Sequence, residues 1–306
     1  MDDAPVTITL PNGKSWSPGN SDGRSHGRVS LLDALSNSYN QATVRVGMDV
    51  GPDRLAELLK VLAGLRAPAN PSLILGSVDL SPFAMAQVYQ FLASGGEIQP
   101  LRAVRGVVDP KGSAINRYDF NAAPAKEGDA VAARLVTVAL QDAVTNGTGR
   151  SLLSDGLGHL RIAGKTGTSN DSRDSWFAGY TGDHLAVVWV GNDQNEPTGL
   201  YGGTGAMRVW SALFKQLPSA PLDVGMSGLE WGWVDAAEFA TTEEDCEGAR
   251  RYAFVGGYLP PEHVSCVKRS WLDWFRFGGD DEERDARRQE AREEREQRRE
   301  QRRRGD

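Results

Sequence analysis

The chain has 306 residues, of which 40% are hydrophobic and 25% are charged, and its formal net charge is −7. This length and composition are typical of a soluble globular protein with one large or two small domains, and the negative charge gives no general drive to bind nucleic acid. The sequence contains no stretch of about 18 consecutive apolar residues that could span a membrane, and Met1-Asp2-Asp3 does not begin a signal peptide.

Capping residues, prolines and glycines predict the elements in chain order. Residues 1–29 contain many turn formers and little periodicity, which predicts an irregular surface segment. Ser30 caps a helix that begins at Leu31, with Asp33 at the reciprocal capping position. Further helices are expected at about 52–63, 83–93, 129–144 and 206–217, a β-hairpin at about 98–120, and strands at about 175–181 and 184–191. The last helix carries a stripe that we expect to pack on the sheet: Met207, Trp210, Leu213 and Phe214.

The central feature is the stretch 161–169, in which a lysine and hydroxyl side chains alternate with glycines. It predicts a strand that carries Lys165, Thr166 and Thr168. Glycines let a ligand backbone lie close to a strand, and a lysine with two hydroxyls suits a substrate carboxylate and a developing oxyanion. We therefore expect a ligand site on this strand.

Simpler interpretations compete with this one. The Gly-Lys-Thr triplet ending at Thr166 resembles the end of a phosphate-binding P-loop, but that motif needs a glycine where this chain has His159, and a helix after the lysine. An exposed edge strand with a solvated lysine is the ordinary alternative. Likewise, Ser38 and Asn40 near a helix end are most often caps. Taken singly, these residues leave the alternatives open.

The composition divides the chain into three parts. Residues 1–217 read as a mixed helix and strand domain, 218–278 as an appendage rich in Trp and Gly, and 279–306 as a charged tail that is helical or disordered. Cys246 and Cys266 are twenty residues apart and lack metal-type spacing. They pair if the chain lies in an oxidising compartment, and two free buried thiols are the equal alternative.

Taken in order, these pieces resemble the transpeptidase domain of class A (bifunctional) penicillin-binding proteins. Ser38-Tyr39-Asn40 matches the family's Ser-x-Asn motif, and Lys165-Thr166-Gly167 matches its Lys-Thr-Gly motif. The resemblance covers about residues 5–217 and extends to flanking segments: Trp16 through Gly23, Pro71 through Gly76, Ser81-Pro82, Ala93 through Gly96, Gly147 through Arg150, and Asn170 through Tyr180.

The resemblance implies an α+β fold of the serine β-lactamase and D,D-transpeptidase type, an antiparallel sheet flanked by helices, here without its first strands. It implies acyl transfer from the D-Ala-D-Ala end of peptidoglycan stem peptides by a serine nucleophile, with β-lactams captured as acyl-enzymes. It also implies a location at the periplasmic face of the inner membrane and possible cell-wall synthesis partners. We expect no cofactor, no metal, no nucleic acid and no membrane segment in this chain.

The resemblance also assigns roles to individual residues. Ser38 would relay protons, Asn40 would hydrogen-bond the substrate amide and the base lysine, and Lys165 would set the electrostatics. The Thr168 N–H would supply half of an oxyanion hole. The expected substrate-binding residues are Tyr39, Thr166, Gly167, Thr168 and Ser169.

The sequence departs from the family pattern at the nucleophile. The family's Ser-x-x-Lys motif should precede Ser38, but no such motif occurs there, and the one Ser-x-x-Lys in the sequence begins at Ser265, in the wrong order. We therefore expect the C-terminal part of a cell-wall synthase, inactive as written. Because the first strands would be missing, the strand at 184–191 should have an open apolar edge, and we expect the isolated chain to be poorly soluble.

Two other functions remain as alternatives. A non-catalytic module that binds muropeptides or a partner in the same groove would bind D-Ala-D-Ala peptides without turnover or acylation by penicillin. A serine hydrolase of the β-lactamase or carboxypeptidase type would turn over β-lactams. The long stretch at 70–120 and the Trp-rich appendage favour the synthase.

Overall fold

The structure, a computed structural model, describes residues 1–10, 12–104, 106–117 and 126–266. The chain forms two compact units. The first comprises Met1–Gly232 and Tyr252–Leu259, and the second comprises Trp233–Arg251 and the chain from Pro260 onward. The boundary at 217 that composition suggests lies inside the first unit, so the three-part division stays a prediction. The expected charged tail lies outside the described residues.

The helices that the structure describes have 4 to 16 residues, and three of them begin at a side-chain cap. They are α1 (Leu31–Ser36), α2 (Asn40–Val50), α3 (Pro52–Ala63), α4 (Pro82–Ala93), α5 (Ala130–Thr145), α6 (Ser151–Ser154) and α7 (Ala206–Phe214), with 3-10 turns at Pro71–Leu75, Gly158–Leu160 and Asn170–Ser172. Ser30 accepts a hydrogen bond from the Asp33 N–H at the start of α1, as its sequence position predicts. Within the described ranges, no helix is long and apolar enough to cross a membrane.

The strands form several small antiparallel sheets. They are β1 (Asp2–Asp3), β2 (Ile8–Thr9), β3 (Ser15–Trp16), β4 (Gly27–Arg28), β5 (Glu97–Ile98), β6 (Gly106–Val108), β7 (Ala114–Arg117), β8 (Lys126–Glu127), β9 (Ala163–Thr168), β10 (Ser175–Tyr180), β11 (Leu185–Val190), β12 (Leu229–Asp235) and β13 (Ala249–Val255). The expected hairpin is confirmed as β6 and β7, which pair around the turn at Asp109–Gly112. The predicted segment 118–120 lies outside the described residues.

The main sheet has the order β11-β10-β9, and all its pairs are antiparallel. Tyr180 lies opposite Ala163 on one side and opposite Leu185 on the other. Within the part of the chain that the structure describes, β9 and β11 each have one strand neighbour, so each exposes one edge. The expectation of poor solubility from the β11 edge stays a prediction.

Apolar clusters cover both faces of this sheet. Phe177 lies on one face in a cluster with Trp210 and Phe214 of α7, whose rings stack with centroids 3.7 Å apart. Tyr180 lies on the other face, since residues three apart in a strand point to opposite sides, and its hydroxyl bonds Thr137 of α5 at 2.7 Å. The sheet therefore lies between helices, and this fixes the position of β9.

Three expectations need correction. Helix α2 was not predicted, because Asn40 was interpreted as the end of one helix and not as the start of another. The helix expected to reach residue 217 ends at Phe214. Leu213 is 47% exposed and not part of the core stripe, since it lies about 100° around the helix from Phe214.

The described part of the second unit is small and has few buried apolar side chains. Cys246 and Cys266 form a disulfide with Cα atoms 5.6 Å apart, so the alternative of two free thiols is wrong. Val234 and Ala240 are buried in this unit. A disulfide compensates for a small core, as in many small extracellular domains.

Candidate functional site

The strand β9 presents its site residues along a free edge. Successive side chains of a strand point to opposite faces, so Lys165 and Thr166 leave β9 on opposite sides of the sheet. β9 pairs with β10 on one side and with no other strand among the described residues. An extended ligand could therefore pair with the backbone of this edge while side chains from both faces contact it.

The Lys165 ammonium group donates a hydrogen bond to the Ser38 hydroxyl, which lies 127 residues earlier in the chain. It also donates to the Thr166 carbonyl at 3.2 Å. Burial of the ammonium group lowers the pKa of Lys165 to about 8. Lys165 and Ser38 can therefore exchange a proton at a lower cost near neutral pH than a solvated lysine could.

The backbone around Ser38 is held in a tight loop between α1 and α2. Ser38 has φ 58°, in the left-handed region, and Tyr39 returns to extended geometry before α2 begins. Ser36, at the end of α1, is buried, and its hydroxyl donates to the Asp142 carboxylate of α5 at 2.6 Å. This contact fixes the start of the loop to a helix of the core.

A second connection joins the loop to β9 through the segment after α5. The Thr148 N–H donates to the Ser36 carbonyl at 3.1 Å, and the Thr148 and Thr166 hydroxyls lie 2.8 Å apart. A Cβ atom on Gly147 would lie 2.1 Å from the Ser36 carbonyl oxygen, so only glycine fits there. Thr148 was not among the predicted site residues, although its Gly-rich segment is part of the family resemblance.

The end of β9 is also supported by the segment before α7. The Gly202 N–H donates to the Thr168 hydroxyl oxygen at 2.9 Å. Because that hydroxyl accepts this bond, its own hydrogen is available to donate to a carboxylate. Gly202 was also missed, and no local sequence signal distinguishes it from other turn glycines.

Gly167 is half-buried on β9, and the Ser169 hydroxyl accepts the Asp174 N–H at 2.8 Å, which places Ser169 in a turn.

The other predicted residues of the loop lie close by but make different contacts. The Asn40 amide group donates to the Gly19 carbonyl at 2.7 Å. The Tyr39 ring stacks on the His26 ring, with centroids 4.0 Å apart and planes 16° apart. The structure thus brings Ser38, Lys165, Thr166 and Thr168 around one edge and holds Asn40 and Tyr39 against the N-terminal segment.

Comparison with known proteins shows the family of this chain. Residues 6–215 match the family described as the penicillin binding protein transpeptidase domain. The chain belongs to this family. It is 39% identical over 217 residues to penicillin-binding protein 1B of Vibrio cholerae, an alignment that covers 70% of this chain and 28% of the relative. The chain therefore spans about a quarter to a third of that relative's length.

Solved structures show the penicillin-binding protein transpeptidase fold, with its mixture of helices and antiparallel strands. Penicillin-binding protein 1A from Haemophilus influenzae superposes with a TM-score of 0.73 at 23% identity, over 86% of this chain and 45% of that one. Penicillin-binding protein A from M. tuberculosis, solved as a ceftriaxone acyl-enzyme complex, superposes with a TM-score of 0.56 at 22% identity, over 68% of this chain and 53% of that one. These likenesses establish the fold.

Proposed function

We propose that this chain supplies the Ser38–Asn40 loop and the carboxylate-binding strand of a peptidoglycan D,D-transpeptidase. The proposal depends most on the hydrogen bond between Lys165 and Ser38, which joins the free edge of β9 to the loop. A lysine that donates to a serine at a free strand edge suits a ligand with an extended backbone and a terminal carboxylate. Peptidoglycan stem peptides that end in D-Ala-D-Ala have both features.

The side chains around β9 bind different parts of the peptide. Lys165 supplies the positive charge that faces the terminal carboxylate, and the Thr168 hydroxyl donates its free hydrogen to it. Thr166, fixed by Thr148, holds the second carboxylate oxygen. Gly167 and Ser169 leave the strand edge open to the peptide backbone, and Tyr39 is the middle residue of the loop.

In the proposed reaction, a serine hydroxyl attacks the carbonyl of the penultimate D-Ala, and the bond to the terminal D-Ala nitrogen breaks. Ser38 relays the serine proton to the departing amine, with Lys165 stabilising the charge on the relay. The Thr168 N–H stabilises the oxyanion, and Asn40 holds the substrate amide. An amine of a neighbouring stem then takes the acyl group and releases the serine.

The 306-residue chain alone should bind such peptides without becoming acylated. The one Ser-x-x-Lys motif in its sequence begins at Ser265. The Ser265 hydroxyl donates to Glu243 at 2.6 Å within the second unit, and Lys268 lies outside the described residues. We further propose that β-lactams are ligands of the complete site, that other cell-wall synthesis proteins can be partners, and that the location is the periplasmic face of the bacterial inner membrane.

Calorimetry with diacetyl-Lys-D-Ala-D-Ala tests the proposed binding. The free acid should bind more tightly than the same peptide with a C-terminal amide, and Lys165→Met should remove this difference. Lys215→Met is the matched control, since Lys215 lies at the end of α7 and pairs with Asp155 at 3.2 Å. Equal binding of acid and amide by the wild type would contradict the proposal.

Mass spectrometry after incubation with penicillin separates the remaining alternatives. The proposal predicts an unmodified chain, whereas turnover of the β-lactam would indicate a serine hydrolase. A longer chain in which a Ser-x-x-Lys segment precedes Met1 should form the acyl-enzyme. If that longer, folded chain is not acylated, the non-catalytic binding module is the better description.

A further inference from the structure

The N-terminal segment holds the first turn of α2 from outside the helix. A helix leaves its first N–H groups without internal partners, and Tyr39, at the N-cap position, makes no side-chain capping bond. The missing acceptors come from distant residues: Asn20 accepts the Gln41 N–H at 3.2 Å, and Asp3 accepts the Ala42 N–H at 3.1 Å. The position of Asn40, the first residue of α2, therefore depends on this segment.

The centre of this cap is the fully buried carboxylate of Asp3. Besides the Ala42 N–H, it accepts the Asn20 amide at 2.6 Å and, from His26, both the backbone N–H at 3.0 Å and ring Nδ1 at 2.8 Å. Burial alone would raise the pKa of Asp3, but these hydrogen bonds outweigh it and the pKa lies below its usual value. Asp3 is therefore an ionised acceptor that needs its donors.

His26 lies between two carboxylates. Its Nδ1 is 2.8 Å from Asp3, and its Nε2 is 3.1 Å from Asp22. An ionised carboxylate only accepts hydrogen bonds, so Nδ1 carries the proton that Asp3 accepts, while Nε2 lies within ion-pair distance of Asp22. Two carboxylates this close to the ring favour a positive charge on it over a neutral ring.

The same ring is the stacking partner of Tyr39, in the middle of the Ser38–Asn40 loop. A cation within about 6 Å of an aromatic centroid is attracted to the ring face. Burial, with Asp33, Asp22 and Asp3 nearby, raises the pKa of Tyr39, so Tyr39 stays neutral and these three carboxylates are the charged groups that face the pair. Loss of the positive charge on His26 would weaken its attraction to Asp3 and Asp22 and its stack on Tyr39 together.

We propose that His26, held as an imidazolium between Asp3 and Asp22, is a positioning residue that keeps the Ser38–Asn40 loop in place through Tyr39. Binding at the loop then weakens when this ring loses its proton. The binding consequence depends on the proposed function. The positioning itself does not, and the two can be tested separately.

NMR of the full chain tests the positioning without any ligand. Selective labelling of the histidine rings reports their protonation from about pH 5 to about pH 9, a range that covers histidine titration in proteins. The Ser38, Tyr39 and Asn40 amide signals should shift in step with the His26 ring. The ring and amide signals should also move together in Asp22→Asn, which removes one carboxylate partner. Loop amides that stay fixed while the ring titrates would overturn the proposal.

Peptide affinity measured over the same pH range tests the consequence. The affinity of the wild type for diacetyl-Lys-D-Ala-D-Ala should fall roughly fivefold more across the titration of His26 than that of His26→Gln, which cannot become charged. His159→Gln is the control, because His159 is exposed and its ring contacts the Gly156 carbonyl. Identical pH profiles for wild type and His26→Gln would overturn the proposed consequence.

If no variant binds the peptide at any pH, the proposed function fails, and the NMR titration still decides the positioning role. If His26→Gln does not fold, as judged by its thermal transition, Asp22→Asn provides the same comparison, since the Asp22 side chain is 48% exposed.

Discussion

The two units of this chain stabilise their polar clusters by different means. In the first unit, the site lies on a sheet whose faces are covered by apolar clusters around Phe177 and Tyr180. In the second, Glu243 accepts hydrogen bonds from Ser265 and the Cys266 N–H next to the disulfide. A lysine can be desolvated in the first setting, whereas the Glu243 cluster stays near solvent. We therefore propose that Lys165, in the first unit, is the reactive group.

Removal of a core side chain should have the largest effect and should be confined to the first unit. Trp210→Ala should cost about 3–5 kcal/mol of unfolding free energy, because Trp210 is fully buried against Phe177 and Phe214. Leu213→Ala on the same helix is the control and should cost much less, since Leu213 is largely exposed. Urea unfolding followed by circular dichroism measures both. Equal costs would mean that the first unit does not depend on this core.

Loss of the disulfide should affect the second unit alone. Replacing both Cys246 and Cys266 by serine should cost that unit about 3 kcal/mol, the value expected for a loop of this size. Hydrogen exchange measured by mass spectrometry should show faster exchange in 233–251 and unchanged exchange in α5 and β9. Faster exchange throughout the chain would show that the two units are not independently stabilised.

The ammonium charge of Lys165 should control ligand binding. Its folded pKa of about 8 lies below the ordinary value of 10.5, so affinity for a carboxylate peptide should fall above about pH 8, by about tenfold. Between pH 8 and pH 10.5, Lys165 is protonated in the unfolded chain and largely deprotonated in the folded chain. The stability of the wild type should therefore rise with pH in this range relative to Lys165→Met. Titration calorimetry and denaturant unfolding measure the two effects. An affinity that does not change with pH above pH 8 would contradict a lowered pKa for Lys165.

Glu243 should give a pH dependence of the same sign in a lower pH range, and the smallest effect. Hydrogen bonds, that from Ser265 first, lower its pKa to about 2 from 4.5. The stabilisation is therefore present above about pH 4.5 and is lost as the pH falls towards 2. Exchange rates in 233–251 should rise over this range in the wild type and less in Glu243→Gln. Identical acid sensitivity in the two proteins would show that ionised Glu243 does not stabilise the second unit.

Much of the first unit could be predicted because its signals are local. Ser30 and Asp33 predict the start of α1, and Pro52 and Gly64 mark the two ends of α3. The alternation of glycines with lysine and threonine near Lys165 predicts β9. The start of α2 could not be predicted in this way, because its acceptors come from Asp3 and Asn20, far away in sequence. Long-range capping leaves no local pattern.

The candidate site was predictable in part for the same reason. The lysine and hydroxyl residues share one short motif, and the family resemblance supplied Ser38. The supporting contacts of Thr148 and Gly202 exist only once three distant segments are packed together. The pairing of Cys246 with Cys266 was left open because spacing alone does not fix a disulfide.

Chemical-shift mapping of diacetyl-Lys-D-Ala-D-Ala on the labelled chain tests the central claim most directly. We expect the largest shifts at Ser38–Asn40 and Thr166–Thr168, smaller shifts at Gly202 and Thr148, and no shifts in 233–251. Shifts confined to the second unit, or a saturable binding site that leaves both Ser38 and Thr168 unchanged, would contradict it.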